Sequence, residues 1–242
     1  MSERWKLGAW TDSTILPVFV QAHSLGSVVK VYCDMSSNGG GWTLISRFSN
    51  AESANWMQSS GSWWYDRTSS YGSVTSPSNN YDMISPAFWL VTGNYIKITR
   101  SDDSSNTALL YTSSCTGGKT FRSFITSYGN FRSGAVWNSN ACRRSCYISG
   151  YGGSYSSTVG FSQMHCSSNL QSRRYLSFWC DWSSGDGAVM MIGGGGDYCK
   201  RADHGIGITE AGAARFGTGN CDGDFGDNCN YPTSYSLNLW IK

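Results

Sequence analysis

Nine cysteines are spread through this chain, at Cys33, Cys115, Cys142, Cys146, Cys166, Cys180, Cys199, Cys221 and Cys229, and they limit its possible folds more than any other feature. They do not form the paired Cys-x-x-Cys knuckles of a structural zinc site. Cys142 and Cys146 come closest, and no second pair with His follows them. Scattered cysteines read as a disulfide framework, and disulfides persist outside the reducing cytosol. The expected location is therefore secreted and extracellular. An odd number cannot pair completely within one chain, which raises a disulfide between two chains.

The rest of the composition fits a crosslinked, loop-rich chain. Charged residues are 14% of the 242, against roughly 25% in an average soluble domain. Glycine contributes 29 residues and tryptophan 11, so aromatics and crosslinks carry much of the packing. The length suits one large domain or two small ones, and is enough to bury a real core. A net charge of +2 gives no argument for nucleic acid or a membrane surface. No stretch of apolar residues is long enough to predict a span. Residues 1–15 lack the basic start and apolar run of a signal peptide, so the chain reads as a mature form.

Periodicity locates the elements. "SVVKVYCDM" (27–35) alternates apolar and polar residues and predicts a strand. "SSNGGG" (36–41) is a turn, and "WTLISRF" (42–48) is the returning strand of a hairpin. Residues 49–82 read as long surface connections. "SPAFWLV" (85–91) predicts a short helix, because Ser-Pro suits a helix start. Strands are expected over 95–103 and 108–113, a helix over 120–128, and loops over 129–172. Inner strands are expected at 174–182 and 188–194, a short helix at 209–217, and a final alternating strand at 235–241. No linker or internal repeat divides the chain. The expectation is a single α+β domain over 1–242, with a loop-rich last third.

That last third holds the acid. "ADHGIGITEAGAARFGTGNCDGDFGDN" (202–228) contains Asp203, Glu210, Asp222, Asp224 and Asp227, with His204 among them. Calcium takes several hard oxygen ligands on a loop flexible enough to wrap them, and glycine supplies that flexibility. "DGDFGDN" (222–228) has alternating acids without the EF-hand register or its terminal Glu. A solvated acidic turn is the plain alternative. Imidazole is a poor calcium ligand, so His204 suits a group that orients a ligand hydroxyl beside the metal. A carboxylate pair of glycosidase type is available from Glu210 with Asp224 or Asp227, but a chain with this many acids offers such pairs by chance. No nucleophile elbow, His-Glu-x-x-His or phosphate-loop motif occurs, and "GGGG" (193–196) lacks the Lys-Ser ending. No enzymatic activity is expected.

Two stretches carry a resemblance. "VYCDMSSNGGGWTLISRF" (31–48) resembles the opening signature of fibrinogen-related domains through Tyr32-Cys33-Asp34-Met35 and Gly39-Gly40-Gly41-Trp42-Thr43, and "AFWL" (87–90) resembles that family's short helix. The last third is more similar to intelectins, the X-type lectins. Cys199, Asp203-His204, the glycines at 205 and 207, Glu210-Ala211, Cys221 and Asp224-Phe225 follow their order.

The resemblance implies a fibrinogen-like domain with a central antiparallel sheet, short helices and a calcium-binding, loop-rich last third. It implies Ca2+ held by Asp203, His204, Glu210 and Asp224, and a sugar bound at that ion by His204 and Glu210, walled by Tyr231 and Tyr235. The expected function is a secreted calcium-dependent lectin, with terminal galactose as the expected sugar and glycans or glycoconjugates as partners. The alternative is a structural matrix or defence protein whose calcium only braces the fold. The resemblance also implies that Cys33 pairs with an upstream cysteine, yet none precedes it here. Cys33 then pairs elsewhere, stays a buried thiol, or leaves a cysteine to bridge two chains as a disulfide-linked homodimer. The last is the expectation for the molecule as a whole.

Overall fold

The computed structural model describes residues 17–21, 28–51, 66–127, 146–152, 175–176 and 234–242. Nine strands lie among them: β1 (Pro17–Gln21), β2 (Val28–Asp34), β3 (Trp42–Ser49), β4 (Met83–Ile84), β5 (Ile96–Arg100), β6 (Leu110–Ser114), β7 (Cys146–Tyr151), β8 (Tyr175–Leu176) and β9 (Ser236–Ile241). They form one sheet in the order β1-β2-β3-β9-β5-β6-β7-β8, with β4 laid against β3. Every pairing is antiparallel. Two short α-helices, α1 (Ala87–Leu90) and α2 (Phe121–Thr126), and a single 3-10 turn at Ser37–Gly39 complete the regular structure among these residues. The expected antiparallel sheet with short helices is present.

The last strand is the middle of the sheet. β9 pairs with β3 from Thr43↔Ile241 to Ser49↔Ser236, and with β5 from Ile96↔Ile241 to Arg100↔Leu237. Its alternation explains its place. Leu237, Leu239 and Ile241 enter the main core, while Trp240 enters a second cluster with Tyr32, Trp42, Leu44 and Met83. All six residues of β9 are buried, so both faces of the sheet are covered here. Burying each aliphatic side chain of this strand contributes about 2 kcal/mol.

The helices cover the main-core face. Phe88 of α1 meets Phe121 of α2 edge-on, with ring centroids 5.3 Å apart. The Thr120 hydroxyl caps α2 by accepting from the Ser123 N–H at 3.2 Å. Pro86 begins α1, where its missing N–H costs nothing.

The structure departs from the sequence reading at three places. Residues 146–151, expected within a loop, form β7. "CYISGY" alternates as a strand should, with Cys146 and Ile148 buried, and the Cys115–Cys146 disulfide ties its start to the end of β6. β1 was not anticipated; it pairs with β2 from Pro17↔Tyr32 to Gln21↔Val28. Residues 66–82, expected as a surface connection, are pinned to the sheet by side chains. Of the expected strand at 174–182, Tyr175–Leu176 is described and pairs with β7. The elements expected at 188–194 and 209–217 lie outside the described residues.

Cys33 is a free thiol and is buried. Its Sγ lies 3.8 Å from the Thr43 hydroxyl, and burial pushes the thiol pKa up. No helix among the described residues is long and apolar enough to cross a membrane.

Candidate functional site

Downstream of the acid-rich stretch, the described residues resume at Ser234, and those around Ser234–Ser236 are tightly arranged. Tyr235 exchanges two hydrogen bonds with Asn50: its N–H donates to Asn50 Oδ1 at 3.0 Å, and its carbonyl accepts from the Asn50 N–H at 3.1 Å. The Tyr235 ring is fully buried, with the Arg100 guanidinium 3.9 Å from its centroid. Arg100 is itself held by Asp102, Nε donating to Oδ1 at 2.7 Å. Ser236 N–H donates to the Ser101 hydroxyl at 2.8 Å. Asn80 Oδ1 accepts from the hydroxyls of Ser236 (2.6 Å) and Ser49 (2.9 Å), and its amide donates to the Ser234 hydroxyl. The ends of β3 and β5 and residue 80 thus converge on Ser234–Ser236.

A strap of irregular backbone, residues 66–82, covers the sheet beside this junction. Four of its carbonyls accept from side chains of the sheet. Arg47, buried in β3, donates to three: Nε to Tyr81 O (2.7 Å), one terminal nitrogen to Ser76 O (2.6 Å) and the other to Ser73 O (3.2 Å). Its cross-strand neighbour Asn238 donates to Pro77 O at 2.9 Å. Asp82 accepts from the Ser49 N–H at 2.7 Å, and Tyr71 bridges to Ile84. Between the anchored Asn80 and the buried Asp82, Tyr81 stands 61% exposed.

The 31–48 signature is explained by a second buried network. Asp34 Oδ1 accepts from the N–H groups of Ser36 (3.1 Å) and Ser37 (2.9 Å), folding the loop after β2 back on itself. Lys97 Nζ of β5 donates to Asp34 Oδ2 at 2.8 Å and to Ser37 Oγ at 2.9 Å. That ammonium lies 5.0 Å from the Trp42 ring centroid and 4.9 Å from that of Trp240. Burial alone would raise the Asp34 pKa, but the bonds from Lys97 and Ser37 win and hold it below the ordinary carboxylate value. Burial outweighs the pull of Asp34 on Lys97, whose pKa is lowered. Asn38, Gly39, Gly40 and Gly41 all have positive φ. A Cβ on Gly40 would stand 2.2 Å from Met35 O, so glycine is required there. In this loop the signature residues build a turn and bury a charge.

Of the residues expected at a calcium and sugar site, Asp203, His204, Glu210, Asp224 and Tyr231 lie outside the described residues. Tyr235 lies within them, and there it packs in the core under Arg100. Among the described residues, no group of three or more His, Cys, Asp or Glu is placed to hold a metal ion. The sequence reading overlooked the anchoring residues Arg47, Asn80 and Asn238. A signal was present: Arg47 interrupts an apolar strand, and Asn238 an apolar alternation.

The chain matches the family model for the C-terminal globular domain of fibrinogen beta and gamma chains over residues 2–172. No curated protein matches it.

Proposed function

This chain belongs to the family of fibrinogen C-terminal globular domains, and from that premise we propose that it is a secreted, calcium-dependent lectin. Fibrinogen-related domains are often lectin-like or extracellular, and their fold family is non-enzymatic. The observation that carries the proposal is the clustering in sequence of Asp203, His204, Glu210 and Asp224 in a glycine-rich stretch upstream of the clamped Ser234–Ser236 junction. A fixed downstream anchor helps such a loop, because less entropy is lost when it closes on an ion.

In this proposal the carboxylates of Asp203, Glu210 and Asp224 hold Ca2+. A vicinal diol of a terminal galactose replaces two waters on the ion, and His204 and Glu210 orient the two hydroxyls. Tyr231 packs against the C–H face of the sugar. Tyr235, expected in the same wall, is buried under Arg100 and offers no face to a sugar. One domain over 1–242 is part of the same reading, and it is supported by the position of β9 between β3 and β5.

Cysteine pairing bears on assembly. With Cys115 and Cys146 bonded and Cys33 a free buried thiol, six of the nine cysteines remain, an even number. All six can pair within the chain. The expected disulfide-linked homodimer therefore rests on no cysteine among the described residues, and we propose a covalent monomer.

A glycan array probed with and without calcium tests the lectin reading. Binding to galactose-terminated glycans that chelator abolishes is the expected result. A protein that binds no glycan, yet melts at a lower temperature in chelator, has structural calcium only.

A further inference from the structure

The face of the sheet that is covered at β3 and β9 lies open at β6. Register carries one row of side chains across it: Leu44 pairs with Trp240, Trp240 with Lys97, Lys97 with Tyr111, and Tyr111 with Gly150. Leu44, Trp240 and Lys97 are buried, whereas Tyr111 is 39% exposed. Side chains alternate along a strand, so Tyr111 points away from Leu110 and the main core. Tyr95, just before β5, exchanges backbone hydrogen bonds with Lys242 at 2.8 and 3.0 Å and so continues the ladder. It precedes Lys97 by two residues, stands on the same face and is 40% exposed. Tyr95 and Tyr111 are thus diagonal neighbours, a relation across which aromatic rings still reach one another.

The Tyr111 ring leans sideways across β7. A Cβ on Gly150 would stand 2.5 Å from Tyr111 Cε1 and 2.7 Å from Cζ and Oη, so glycine alone leaves the ring its room. A ring held in this way offers contact area at low entropic cost, which is the use of tyrosine in binding surfaces. The surroundings choose the ligand. β6 (LYTSS) and β7 (CYISGY) contain no charged residue, and Ser113, Ser114 and Ser149 on these strands are exposed. Lys97 is buried on Asp34, and the Lys242 amine donates to Gly39 O at 3.1 Å. Such a surface gives no purchase to a phosphate or an acidic peptide. Two rings also fall far short of the ~800 Å² per partner that a stable protein interface buries. They fit a small neutral ligand with an apolar face and hydroxyl edges, which is a pyranose.

We propose that Tyr111 and Tyr95 form a calcium-independent platform that stacks the C–H faces of a neutral, β-linked oligosaccharide. This goes beyond the lectin reading, in which the sugar is held through an ion. The stacking surface is the ring and not the hydroxyl, since C–H groups pack on the π-surface. Equatorial hydroxyls leave both faces of a β-linked glucose unit to C–H groups, so cellohexaose is the probe.

The test is an NMR titration of the full chain with cellohexaose in the presence of chelator. It compares wild type with Tyr111→Ala, Tyr95→Ala, Tyr111→Phe and the control Tyr81→Ala, whose exposed ring lies on the strap, away from β6. Melting temperatures check that each variant is folded. Wild type should bind without calcium, and each of Tyr111→Ala and Tyr95→Ala should lose about three- to tenfold in affinity. Tyr111→Phe and Tyr81→Ala should bind as wild type does. Wild type that shows no binding in chelator overturns the inference, and so does wild-type affinity in both Tyr111→Ala and Tyr95→Ala. A loss in Tyr111→Phe equal to that in Tyr111→Ala also overturns it, because the hydroxyl and not the ring would then be the contact. Cellohexaose carries no galactose and the chelator removes calcium, so each of these failures leaves the calcium-dependent lectin reading as it stands.

Discussion

Lys97 and Asp34 meet at 2.8 Å with side-chain exposures of 0% and 1%, joining β5 to the end of β2 beneath two tryptophans. Removing one partner of a buried pair leaves the other charge uncompensated, which costs about 3–5 kcal/mol. Lys97→Ala should lose about that much in urea unfolding at neutral pH. The double variant Lys97→Ala with Asp34→Ala should be less destabilised than the two single losses added together. Additive losses would show that the two charges do not depend on each other.

The pH dependence follows from the depressed Asp34 carboxyl. Its ordinary value is 3.8 and its folded value lies lower. The stabilisation is therefore complete above that ordinary value, and is lost as pH falls through the folded value. Thermal melts of wild type and Asp34→Asn should differ most near neutral pH and converge below about pH 4. A gap that widens on acidification would contradict the sign of the shift.

Gly40 and Gly117 both have φ near +60°, but their surroundings differ. A Cβ on Gly40 meets the Met35 carbonyl at 2.2 Å, whereas nothing lies within 4 Å at Gly117. Gly117→Ala should cost only the left-handed strain, about 1 kcal/mol. Gly40→Ala should cost clearly more, since the 35–41 turn and the Asp34 bonds must move with it. Equal melting temperatures for the two variants would count against the turn as described.

The hairpin of β2 and β3 was legible because the glycine run at 39–41 marks a turn between two alternating segments. β9 was legible from its alternation, though its central position was not; nothing local tells a last strand that it will fall between β3 and β5. β7 was missed because "CYISGY" is short, holds a glycine, and sits among cysteines and polar residues. Its partner β6 and the Cys115–Cys146 bond supply what local propensity lacks. The strap at 66–82 was missed for a different reason. Its carbonyls are satisfied by Arg47 and Asn238, which lie far away in sequence, so no local pattern encodes it. Of the candidate site, the residue types were readable in 202–228 as chemistry, whereas the clamp at Asn50, Asn80 and Ser101 became visible only in three dimensions.

The cysteine count predicts a gel and a titration. Non-reduced protein should run near the 26.5 kDa chain mass, with no band at twice that mass. One thiol per chain should react after denaturation and almost none before, because Cys33 is buried and its pKa is raised. Cys33→Ala should abolish that titre. A dimer band that collapses on reduction would restore the covalent homodimer.

The central claim is that the acids of 202–228 hold a calcium ion that binds sugar, and Glu210→Gln tests it most directly. The substitution removes a charge and keeps the shape. The measurement is retention on immobilised galactose in calcium, for this variant and for wild type, with melting temperature as a check on folding. Wild type should be retained and released by chelator, while the folded variant passes through. Retention of Glu210→Gln equal to wild type would contradict the assignment of Glu210 to the calcium ion and to the sugar.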